Sequence, residues 1–173
     1  MKTLEKHFIL KGYIMLKRIS AKNLLWLFLS IFLIAADQVT KLIITSNMKI
    51  GDSITVIEDF LYIGYTRNTG AAWGIFGGHT EYLAIFSIIA SIALIYLLLT
   101  FKRKFAAFST ALVIGGAIGN AIDRIRLGWV IDFVDTYIFG YDFPMFNVAD
   151  SAITVGVILL VIYLLFIHRE MQT

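Results

Sequence analysis

The chain has 173 residues, one proline and no cysteine; 59% of it is apolar against 16% charged, with a formal net charge of +3. So large an apolar share exceeds that of a soluble domain, and a chain of this length has too little interior to hide it, so the composition points to a single domain solvated by lipid. The missing cysteines exclude a disulfide frame, a thiolate nucleophile, Cys-ligated zinc and an iron–sulfur site, and the small net charge, with Lys and Arg gathered at the ends of apolar runs, speaks against a nucleic-acid partner.

Residues 1–22 form a basic segment containing Lys2, Lys6, Lys11, Lys17, Arg18 and Lys22; its first fourteen residues, up to Met15, read as dispensable. Four runs that are apolar on every side follow: Leu24 to Ala36, Tyr82 to Phe101, Phe105 to Ile122 and Ser151 to Ile167. Only the second reaches the roughly 20 residues of a membrane span. The others become long enough when polar residues at their ends enter the membrane margin, giving spans of about 24–44, 82–101, 105–123 and 150–167. A cleaved signal peptide is the rival reading of the first run, but Ile34 lies at the −3 position of a cut after Ala36, and the helical periodicity continues to Ile44.

Between the first two spans, in an outer region of about residues 48–80, Ser53 to Glu58 and Phe60 to Thr66 alternate β-branched and aromatic residues with period two. Gly51-Asp52 and Asn68-Thr69-Gly70 bound them, which predicts a small sheet at the membrane surface. Gly70 to Gly78, with Trp73 and Phe76, suits an interfacial loop. Lys102, Arg103 and Lys104 join the second and third spans, and Arg169 follows the fourth. With the basic N-terminal segment, these charges put both termini in the cytoplasm and the two remaining connections outside. In the third span the Gly115 to Gly119 spacing fits close helix approach. In the loop 124–149, Val130 to Asp135 alternates as an extended segment and Gly140 to Phe146 reads as a surface turn returning the chain to Asn147. The expected fold is a membrane all-α bundle of four transmembrane helices with a small extracytoplasmic β-sheet.

Ionisable residues at the edge of a span are costly, and they mark functional candidates. Here they fall at one membrane face. Asp37 and Lys41 make an i,i+4 pair with the acid first, which serves equally as a structural ion pair. Asn120, Asp123 and Arg124 share one face at the outer end of the third span. Asp150 begins the fourth span, where a helix N-terminus favours an ionised carboxylate, and Asp132 arrives from the extended segment. Two carboxylates held close together share a proton, and such a pair can act as base and acid on one water molecule. By spacing alone, a helix cap and a surface acid remain an equal reading of the two. His7, His79 and His168 are scattered; HExxH, GxSxG and phosphate-cradling glycine motifs are missing.

Five blocks then carry a resemblance. Asp37-Gln38-Val39-Thr40-Lys41, Arg67-Asn68-Thr69-Gly70-Ala71-Ala72-Trp73-Gly74, Gly115 through Arg124, Val130-Ile131-Asp132-Phe133 and Phe146 through Ser151 stand in order at outer span boundaries. In these the chain resembles the lipoprotein signal peptidases (signal peptidase II), membrane aspartic peptidases of bacteria, over almost everything from Leu24 to Ile167. The resemblance implies that Asp132 and Asp150 are catalytic, and that the substrate is a prolipoprotein whose cysteine carries diacylglycerol, cut on the N-terminal side of that cysteine. It places Asn68, Gly70, Asn120, Arg124 and Asn147 in blocks associated with substrate or cyclic-peptide inhibitor contacts, with Asp37, Lys41 and Asp123 as supports. It further implies a monomer in the bacterial cell membrane that needs no metal or organic cofactor. The rivals are a proton-relay or transport protein, whose acids should spread through the membrane depth, and a membrane scaffold, which has no use for two converging aspartates.

Overall fold

The computed structural model describes residues 21–71 and 75–167. The basic segment up to residue 20, Trp73 with its neighbours Ala72 and Gly74, His168 and Arg169 lie outside the described residues. Four helices, α1 (Ala21–Asn47), α2 (Thr80–Thr100), α3 (Lys104–Leu127) and α4 (Val148–Ile162, prolonged by a π-helical turn over Tyr163–Ile167), are joined by four strands. Each helix is long and apolar enough to cross a membrane. The most apolar window of α3 is 67% buried and those of the other three are each 17% buried, so α3 is the axis around which the others stand with an apolar face turned outward.

Small residues on α3 make this central position possible, because without a water-driven hydrophobic force helices in lipid associate by close packing. A Cβ on Gly115 would lie 2.9 Å from Leu33 Cβ of α1, and one on Gly119 would lie 2.8 Å from Asp37 Oδ2. The tightest approach is at Gly116, where a Cβ would run into the Ala149 carbonyl of α4. Gly156 of α4 answers from the other side, where a Cβ would lie 2.8 Å from the Ser109 carbonyl oxygen of α3. The glycine pair visible in the sequence is therefore part of a set that fastens α3 to both α1 and α4.

The strands β1 (Ser53–Ile57), β2 (Leu61–Asn68), β3 (Val130–Ile138) and β4 (Tyr141–Phe146) form one antiparallel sheet in the order β1-β2-β3-β4. Its middle pair joins the two connections, with Thr66 opposite Asp132 and Asn68 opposite Val130. Ile131, Phe133 and Tyr65 pack with Ile44 and Met48 at the end of α1, fastening the sheet to the bundle.

Several expectations need correction. Asn68 ends β2 and does not belong to the turn after it, and β3 runs on to Ile138. Gly140 to Phe146 is not a surface turn: Tyr141 to Phe146 is an edge strand, and the turn shrinks to Phe139-Gly140, with φ of 52° and 79°. Two successive positive φ values match the twist of a two-residue hairpin. Pro144 is tolerated because β4 is at the sheet edge and its register is broken between the pairs Thr136–Phe143 and Val134–Phe146. Helix α4 begins at Val148, capped by Asn147, so Asp150 sits in its first turn and does not start it.

Candidate active site

The N-terminus of α4 is capped from three directions. A helix start leaves backbone N–H groups without partners. Asn147 Oδ1 accepts from the Asp150 N–H at 2.9 Å, and Asp150 Oδ2 accepts in return from the Asn147 N–H at 3.2 Å, a reciprocal capping box. Asp37 Oδ1, from α1, accepts from the Ala149 N–H at 3.0 Å. These bonds fix the half-buried Asp150 carboxylate at the positive end of the helix dipole.

Asp132 reaches the same point from the sheet. The β2–β3 register sets Asn68 beside it, and Asn68 Nδ2 donates to Asp132 Oδ2 at 2.9 Å. Asn147 Nδ2 donates to Asp132 Oδ1 at 2.7 Å, so a single residue bonds both carboxylates, Asp150 through its backbone and Asp132 through its side chain. Asp132 is 1% exposed. Burial, reinforced by the negative charge of Asp150, pushes its carboxyl up to about 7 against the pull of Asn68, Asn147 and Lys41.

Beneath the carboxylates lies a buried ionic cluster. Lys41 Nζ is 2.8 Å from Asp37 Oδ2 and 2.8 Å from Asp123 Oδ2, and it donates to Asn120 Oδ1 at 2.9 Å. Asp37, Lys41 and Asp123 are each at most 2% exposed. Such burial is costly unless every charge is paired and every remaining polar atom bonded, and here it is: Asp123 also accepts from the Ile131 N–H and from Gln38 Nε2, which bonds the Gly119 carbonyl as well. Gln38 is a member of this cluster that sequence reasoning did not single out, although it lies within the Asp37 to Lys41 block. Asn120 Nδ2 turns upward and donates to Asp150 Oδ1 at 2.7 Å.

Gly70 and Arg124 close the site from the side. The Gly70 N–H donates to Asn68 Oδ1 at 2.8 Å, and Arg124 Nη2 donates to the Gly70 carbonyl at 3.0 Å. Arg124 Nε is buried and has no hydrogen-bond partner among the described residues. Hydrogen bonds and ion pairs therefore link all ten candidate residues of the sequence, from Arg124 and Gly70 through Asn68, Asp132, Asn147, Asp150 and Asn120 to Lys41, Asp37 and Asp123. His79 stands apart, before α2 and against Tyr82. Chemically, the cluster offers two carboxyl groups of unequal surroundings, held on separate elements by amide donors, with one guanidinium nearby.

Residues 29–166 match the family described as signal peptidase (SPase) II. The lipoprotein signal peptidases of Staphylococcus aureus strains JH9 and N315 are each 51% identical over 139 residues, covering 79% of this chain and 85% of theirs. Two solved structures, described as a bacterial membrane enzyme determined by the in meso method at 2.3 Å and 1.9 Å, superpose with TM-scores of 0.77 and 0.74. Each is 49% identical; they cover 81% and 82% of this chain and 87% and 92% of their own. With four spans, the sheet at one end of the bundle and a family match over most of its length, this chain belongs to the signal peptidase II family of membrane peptidases.

Proposed function

We propose that the chain is an aspartic endopeptidase that removes the signal peptide from diacylglyceryl-modified prolipoproteins, cutting on the N-terminal side of the lipidated cysteine. Membership of a peptidase family and the names of the staphylococcal relatives support the reaction class. The observation that carries the mechanism is that Asn147 bonds Asp132 and Asp150 at once, which ties the two carboxyl groups to one residue.

In this mechanism Asp150, at the helix N-terminus, is the base and takes a proton from the water. The water oxygen adds to the scissile carbonyl carbon. Asp132, whose carboxyl holds its proton up to about pH 7, hydrogen-bonds the carbonyl oxygen as it gains charge. As the C–N bond breaks, the proton held by Asp150 passes to the leaving cysteine amine, and the signal peptide departs as a carboxylic acid. Asn68, Gly70, Asn120, Arg124 and Asn147 are the groups we assign to holding the extended peptide backbone, with Asn amides able both to donate and to accept. The unpartnered Arg124 Nε supports a peptide carbonyl as its missing acceptor. A cyclic-peptide inhibitor would compete for the same groups.

The reading includes one peptidase domain working as a monomer, with acyl chains of substrate and surrounding lipid against the apolar outer faces of the helices. Lys102, Arg103 and Lys104, at the opposite end of the bundle from the carboxylates, support cytoplasmic termini and an active site at the outer face of the bacterial cell membrane. The test is cleavage of a diacylglyceryl-modified prolipoprotein by the purified protein in detergent, with a chelator throughout. Wild-type cleavage with Asp132→Asn and Asp150→Asn both inert is the expected result. A folded but inert wild type, or normal cutting by either variant, refutes the proposal.

A further inference from the structure

The buried cation has three partners, and only two of them are charged. Asp37 and Asp123 occupy two of the donors of Lys41, and its Nζ also lies 2.9 Å from Asn120 Oδ1. An ammonium has three protons and no acceptor, so with Asp37 and Asp123 taking one each the third is committed to Asn120. The two carboxylates are held in turn by the Ala149 N–H, the Ile131 N–H and Gln38, which keeps Lys41 from swinging away.

We infer that Lys41 is a positioning residue: by holding the oxygen of the Asn120 amide, it forces the amide nitrogen toward Asp150 and so keeps Asp150 in the form a base requires. The inference rests on the proposed aspartic mechanism. Asn120 is an amide whose two ends are nearly the same size but opposite in hydrogen-bonding sense. Its Nδ2 donates to Asp150 Oδ1 at 2.7 Å, and its Oδ1 faces Lys41 and, at 3.2 Å, Asn147 Nδ2. With Lys41 replaced by an apolar side chain, only the longer, uncharged bond from Asn147 Nδ2 still holds that oxygen, and the Asn120 amide can turn over and present it to Asp150. Two oxygens at hydrogen-bond distance need a proton between them, which the base must then carry.

The second amide of the pair does not depend on Lys41. Asn147 Oδ1 is committed to the Asp150 N–H within the helix cap, so its Nδ2 stays on Asp132 whatever Asn120 does. The effect of Lys41 through an amide is therefore confined to Asp150, while its charge also acts on Asp132. The charged groups around Asp150 are Asp37 and Lys41 from α1, Asp123 and Arg124 from α3 and Asp132 from β3. Of the two cations, Arg124 directs its Nη2 to the Gly70 carbonyl, and Lys41 is the one hydrogen-bonded to the amide that touches Asp150.

The test is the pH dependence of kcat for the full chain in detergent, with a synthetic diacylglyceryl prolipoprotein peptide, for wild type, Lys41→Met and Lys41→Arg. Rates are scaled to the folded fraction measured by thermal unfolding. Lys41→Met is expected to move the acid limb of the kcat profile upward by about one pH unit, with kcat on that limb about tenfold lower and KM little changed. Lys41→Arg, which can only donate, is expected to restore the limb. Where Lys41→Met fails to fold, the Lys41→Met/Asp123→Asn double variant removes the cation together with one of its anions, and the same displacement is expected. A folded neutral variant whose scaled profile coincides with wild type, or a folded Lys41→Arg displaced as far as Lys41→Met, overturns the inference. A wild type that does not cleave the peptide overturns the aspartic reading itself, and this inference falls with it; a wild type that cleaves, with an unmoved limb in the variants, overturns the positioning role alone.

Discussion

Gly116→Ala tests whether the separation of α3 and α4 sets the geometry of the carboxylate pair. A Cβ at residue 116 would meet the Ala149 carbonyl oxygen and lie 2.7 Å from Ile153 Cγ1. Carbon atoms rest at about 3.5–4.0 Å, so the helices must part by roughly 1 Å. The obstacle at Ala149 is backbone, which has no rotamer to escape into, and that residue directly precedes Asp150. Overpacking of this kind costs about 1–3 kcal/mol, while alanine in place of glycine in a helix returns about 0.5–1 kcal/mol. The net loss of stability should thus be about 1–2 kcal/mol. The effect on activity should be larger, because a displacement of about 1 Å at a reacting centre can cost about a hundredfold in rate. The assay is prolipoprotein cleavage beside thermal unfolding in detergent, with wild type as the comparison. Wild-type kcat in a folded Gly116→Ala protein would refute the claim that this helix contact positions Asp150.

Two further outcomes follow from the site. Asn68→Ala removes the donor to Asp132 Oδ2 and the acceptor of the Gly70 N–H, and prolipoprotein processing should fall by about tenfold or more; membrane insertion, followed by fractionation, should be unaffected, and an unchanged processing rate removes Asn68 from the site. The Asp132 carboxyl titrates at about 7 in the folded chain against 3.8 for the ordinary group. The unfolded chain therefore loses this proton first, so the group's contribution to stability is complete below pH 3.8, declines as pH rises and is gone above about 7. Thermal unfolding should accordingly show Tm falling between about pH 4 and 7 in wild type and less so in Asp132→Asn; equal slopes in the two proteins would contradict the burial argument.

The division of labour between sequence and tertiary structure is visible in particular residues. Apolar runs and flanking positive charges mark the four spans, because a bilayer demands length and hydrophobicity of each helix separately. The Asp37–Lys41 pair was legible for the same reason, as i,i+4 is a distance within one helix. Asp123 as the second anion on Lys41, and Asn120 as its third partner, were not: they come from α3, 82 and 79 residues beyond Lys41. Gln38 had no signal beyond its place in a block. In the two strand-bearing connections period-two alternation located β1, β2 and part of β3, but β4 carries the lone proline and looked like a turn until β3 paired with it.

The sequence by itself determined that this is a four-span membrane protein with its unusual polar residues gathered at one end, since periodicity, hydropathy and charge act over one turn, one strand or one span. What only the tertiary structure decided is that Asp132 and Asp150 meet. Their meeting depends on the β2–β3 register, on the cap that Asn147 builds on α4 and on the glycines that let α4 lie against α3. Each of these is a fit between segments distant in the chain, and such a fit leaves no local pattern to read.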